Sequence, residues 1–76
     1  MSIEDKKQIA DRADMIVSGY SFTYKDDNVE VVNLNSVDSH TLLMTRNGKT
    51  LETNMDPIEE TIVLGIWEND KEFMEI

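Results

Sequence analysis

His40 is the one histidine of the chain, and it stands in the run Asp38-Ser39-His40, the three residue types of a nucleophilic triad. A triad needs side chains that converge, whereas neighbours in an extended segment point to opposite faces. Ser39 therefore cannot present its hydroxyl to His40 from the adjacent position, and the run reads as a polar turn before a strand. No cysteine and no second imidazole accompany it. No catalytic residue is expected, and His40→Ala should leave the fold and the function intact.

Asp26, Asp27, Asn28 and Glu30 place oxygen donors close together, which is the ligand type calcium takes. The loop lacks the glycine and the distal bidentate glutamate of a helix-loop-helix calcium site, so a solvated hairpin turn is expected. The glycines, Gly19, Gly48 and Gly65, are scattered singly and build no phosphate loop. Arg46 and Lys49 flank a turn tip, where they either hold an anion or guard an edge strand. No metal site and no cofactor are expected. A small metal-binding protein or enzyme built on the Asp26–Glu30 loop or on His40 is the alternative from a different functional class.

The C-terminal third offers a different kind of chemistry. Asp56-Pro57-Ile58-Glu59 carries several signals of a helix start: a capping carboxylate, proline at the first position and glutamate three residues after the cap. Ile58, Ile62, Ile66 and Phe73 then fall on one helical face and are assigned to the core. A second stripe, Val63, Trp67 and Met74, lies about 100° away, with Glu59 and Asp70 between the two. One face of a small sheet covers only one stripe. The second must pack on another helix or meet another molecule. Val63, Trp67 and Met74, with Glu59 and Asp70, are therefore the candidate interaction surface, since tryptophan often anchors interfaces. Thr61–Trp67 is also rich in β-formers and could make a strand; the start signals and the continuation to Phe73 favour helix.

The remaining elements follow from hydrophobic period. Ser2 can cap a first helix in which Ile9, Ala10, Ala13, Ile16, Val17 and Tyr20 keep 3.6-residue spacing, and Gly19 is placed to end it. The period then becomes two. Tyr20, Phe22 and Tyr24 alternate with Ser21, Thr23 and Lys25, Asp26-Asp27-Asn28 turns the chain, and Val29 to Leu34 continues as a strand. Val31 and Val32 are adjacent, so that strand either bulges or is covered on both faces. Val37 interrupts a polar connection. Thr41–Thr45 and Thr50–Asn54 flank Asn47-Gly48, the dipeptide of a two-residue type I′ hairpin. That turn would set Arg46 opposite Lys49, Met44 opposite Leu51 and Leu42 opposite Thr53, with Leu43 and Glu52 on the solvent side. The expected fold is α+β: an N-terminal helix, a four-stranded antiparallel meander and a C-terminal helix, both helices on one face of the sheet.

At 76 residues the chain is expected to form one domain, residues 1–76, with no cysteine to staple it. The net charge of −9 argues against direct binding to nucleic-acid backbones or anionic membranes. Met1–Lys7 lacks the layout of a signal peptide, and no apolar run approaches the roughly 20 residues that span a bilayer, so a cytoplasmic location is expected. The leading functional expectation is a small acidic non-enzymatic domain acting through protein–protein contacts, self-association into a homodimer being one form of them. In size, charge and class the chain is similar to the small acidic α+β phage proteins that inhibit nucleases, although no shared motif carries the resemblance. What it implies is an acidic mimic occupying the basic surface of a nucleic-acid-handling protein.

Overall fold

The computed structural model describes residues 3–36 and 38–74. Its elements are α1 (Ile3–Arg12), β1 (Met15–Val17), β2 (Tyr20–Lys25), β3 (Asn28–Asn33), β4 (Thr41–Thr45), β5 (Thr50–Thr53) and α2 (Pro57–Asp70), which runs into a short 3₁₀ turn, Lys71–Met74. The strands form one antiparallel sheet in the order β1-β2-β3-β4-β5. The α+β class and the meander are as expected, with a fifth strand added. The Ser2 cap and the Val37 interruption lie outside the described residues.

The added strand comes from the expected first helix, which ends at Arg12 instead of continuing to Gly19. Met15, Ile16 and Val17 pair with Phe22, Ser21 and Tyr20. Between them Ser18 and Gly19 have φ of 53° and 81°, and two left-handed central residues make the turn whose twist suits a tight hairpin. Gly19 is thus a hairpin glycine. A side chain there would also collide with that of Asn35. The Asp14 carboxylate prolongs the pairing by accepting the Tyr24 N–H at 2.8 Å. Met15 and Val17 pack against the core while Ile16 points away, an alternation that a helix would not produce.

Phe22, Val29, Val31, Leu42 and Met44 line one face of the sheet and, with Met55, Val63 and Trp67, form the buried core. The β2–β3 register runs unbroken from Tyr20↔Asn33 to Lys25↔Asn28. Val31 and Val32 are both buried, so the strand is covered on both faces and does not bulge.

The irregularity lies in the next hairpin. Thr45 N–H donates to the Lys49 carbonyl and Gly48 N–H to the Thr45 carbonyl, each at 2.9 Å. Arg46-Asn47-Gly48 is therefore a three-residue turn with Gly48 left-handed at φ 88°. Arg46 does not face Lys49. Met44 pairs with Thr50, a register shift follows, and Leu51 is left 49% exposed. Leu42↔Thr53 and Leu43↔Glu52 stand as expected.

The helices also depart from the expected arrangement. α2 covers the core face. Ile9 and Arg12 of α1 share a hollow with Tyr24 and with Thr23, Lys25 and Glu30, the last three out of phase with Phe22. Ser21 and Val32 on that same side are buried, so α1 lies on the opposite face. Within α2 the assignment of the two stripes is largely exchanged: Ile66 packs against the core as expected, half-buried, but its companions face outward. Val63 and Trp67 are 0% and 2% exposed, whereas Ile58, Ile62 and Phe73 are 75%, 51% and 73% exposed. Trp67 stacks on Phe22 with ring centroids 6.0 Å apart and donates its indole N–H to the Arg46 carbonyl at 2.9 Å. The turn thus offers the buried indole the acceptor it needs, and turning the isoleucines inward would forfeit that bond.

Candidate functional site

The start of α2 is fixed locally. Asp56 is extended (φ −72°, ψ 166°), and its Oδ1 accepts the Glu59 N–H at 2.7 Å. That cap aims the Glu59 side chain back across the ends of three strands. Its Oε2 accepts the Tyr20 hydroxyl at 2.9 Å and the Asn33 amide at 2.7 Å, and its Oε1 stands 2.8 Å from Nδ1 of His40. Tyr20 opens β2, Asn33 closes β3 opposite it, and His40 precedes β4. One carboxylate therefore ties α2 to three strand ends.

The surroundings set the charge of this hub. Burial pushes the Glu59 carboxyl upward, since only 14% of its side chain is exposed. Hydrogen bonds from Asn33, His40 and Tyr20, together with the proximity of His40, outweigh that and hold it below its ordinary value. The Tyr20 hydroxyl is raised by burial, by its bond to Glu59 and by the charges of Glu59 and Asp56. With both oxygens engaged and its proton affinity reduced, Glu59 suits anchoring better than accepting a substrate proton.

A shallow hollow of about 410 Å³ opens above the hub, walled by Asn35, Ser36 and His40 on one side and by Ile58 and Ile62 on the other. From there the outer face of α2 continues through Gly65 and Asn69 toward Phe73. Ile58 and Ile62 on α2 and Phe73 in the 3₁₀ turn carry large apolar side chains, and these positions, with Gly65 and Asn69, are all exposed.

The candidate interaction residues are thereby redistributed. Val63 and Trp67 belong to the core, Glu59 holds the hub, and Asp70 is half-buried at the end of α2. The Met74 side chain lies outside the described residues. The Asp26 loop is an exposed hairpin tip, with Asp26 at φ 60° and a Lys25–Glu30 ion pair of 3.8 Å beside it. Among the described residues, no group of three or more histidines, cysteines and carboxylates could hold a metal ion. The Arg46 guanidinium lies 4.5 Å from the centre of the Tyr24 ring. His40 draws its carboxylate from Glu59 rather than from Asp38, and the bond joins residues 19 apart.

The hub escaped the sequence because its members sit in separate elements. The only local signal was Glu59 at the third position after a cap, and that signal predicts a bond to the cap, not to strand ends.

Fold and site together define a small acidic α+β domain in which an antiparallel meander is closed by a capped C-terminal helix. Residues 3–74 match the family of unknown function DUF7723, and the chain belongs to that family. No curated protein and no solved structure matches it. Among the described residues, no helix is long and apolar enough to cross a membrane.

Proposed function

We propose that this domain is non-enzymatic and acts through protein–protein contacts made by the outward face of α2. The observation that carries the reading is the exposure of Ile58, Ile62 and Phe73 at 75%, 51% and 73%, on a helix whose inner side is already filled by Val63 and Trp67. Burying one such side chain is worth about 1.5–3 kcal/mol, so a stripe of them favours a partner surface. The saturated Glu59 carboxylate supports a binding role over proton-transfer chemistry, and the net charge of −9 favours protein over phosphate backbones as the partner.

A photoreactive residue placed at position 62 tests this in native cells, with position 52 on the solvent side of the sheet as the control. Protein adducts from position 62 and none from position 52 are expected. Absence of adducts at 62 overturns the reading.

A further inference from the structure

We infer that the partner seated on α2 is a basic amphipathic helix, packed along the outer stripe and crossing it at Gly65. The inference rests on the interaction reading above and adds the partner's chemistry. Ile58, Ile62, Gly65 and Asn69 recur at spacings of four, three and four, the periodicity of a seam between two packed helices. A flat or irregular surface would make no use of that alternation.

Gly65 supplies an independent sign. It lies in the middle of α2, it is exposed, and a side chain added there would meet nothing within 4 Å. Its backbone is ordinary helix, with no left-handed φ to require glycine. Glycine is the poorest helix former after proline, so its presence has no support from this chain's own packing. What it does provide is a low point between Ile62 and Asn69, where a second helix can approach to about 8–10 Å between axes.

Charge decides which helix. The outer stripe is flanked by Glu68, Asp70 and Glu72, and α2 with the turn after it carries one base, Lys71, which itself reaches Glu68 at 3.4 Å. Two copies of this face would bring those carboxylates together and repel. A helix with lysines or arginines flanking an apolar stripe is attracted instead. Its long basic side chains can lay their stems on Ile58 and Ile62 while their charged ends reach the acidic border.

The test uses the full chain and three synthetic peptides of about 18 residues, long enough for a helix of several turns. One is a leucine–lysine peptide with leucines at helical spacing, one is its scrambled isomer, and one is a leucine–glutamate peptide of the same pattern. Binding is read by anisotropy of the labelled peptide. The patterned basic peptide should bind, at least about fivefold more tightly than the scrambled isomer, and weaken about tenfold between roughly 0.05 and 0.5 M salt. Ile62→Ser and Gly65→Leu should each weaken it about tenfold with the helical spectrum unchanged, whereas Glu52→Ser should leave it unaltered. Equal binding of the scrambled peptide, or indifference to both α2 substitutions, overturns the inference in favour of diffuse charge attraction. Self-association that tightens as salt rises, with no peptide bound, makes a second copy the occupant and overturns it too. Either outcome leaves the interaction reading standing, because that reading falls only if position 62 yields no adduct.

Discussion

Glu59 and His40 meet at 2.8 Å across the gap between the start of α2 and the end of the connection before β4. With Tyr20 and Asn33 on its other oxygen, this carboxylate is the joint between helix and sheet. Glu59→Ala should therefore cost about 2 kcal/mol in urea unfolding, because it strands three polar partners in a half-buried setting. His40→Ala should cost about 1 kcal/mol. That loss replaces the silence expected of His40 when the sequence alone placed it in a solvated turn.

The hub also fixes a pH dependence. The Glu59 carboxyl is held below its ordinary value in the folded chain. Its contribution is thus fully present above the unfolded value of about 4.3 and is lost as pH falls through the folded one. The stability difference between the wild type and Glu59→Gln should be largest near neutrality and shrink below about pH 4. A difference that stays constant through that window in urea titrations would show that the hub does not depend on the carboxylate charge.

Trp67→Phe removes both the indole volume and the N–H donated to the Arg46 carbonyl. A loss of about 2 kcal/mol is expected. In the wild type, tryptophan emission should be that of a buried indole and should not respond to Ile62→Ser. A red, solvent-like maximum would restore Trp67 to the surface.

Two glycines should respond in opposite directions to alanine. Gly65→Ala should stabilise by about 0.5–1 kcal/mol, since it sits in exposed helix with open space around it. Gly19→Ala should destabilise by more than about 1 kcal/mol, because φ is 81° and the new methyl meets Asn35. Thermal unfolding of both variants decides the point. Destabilisation by Gly65→Ala would mean that the helix packs differently there.

The sequence by itself determined whatever neighbouring residues decide among themselves. The start of α2 was legible because Asp56 bonds an amide three residues away. The Asp26 turn and the Gly48 turn were legible because left-handed backbone demands particular residue types within the turn. The detail of the Gly48 turn was not, since two-residue and three-residue loops share the Asn-Gly signal and differ in how the strands behind them pair. Residues 15–17 were read as helix for a related reason. Ile16 and Val17 keep the helical spacing of Ile9 and Ala13, and the ladder to β2 that makes Met15–Val17 a strand is not a local signal. The rotation of α2 was decided in the same way. Both of its stripes are apolar enough for a core, so local pattern could not choose between them. The choice came from Phe22, which stacks on Trp67, and from the Arg46 carbonyl, which satisfies its indole. Those partners lie 45 and 21 residues away in the chain, a separation that only the folded sheet closes.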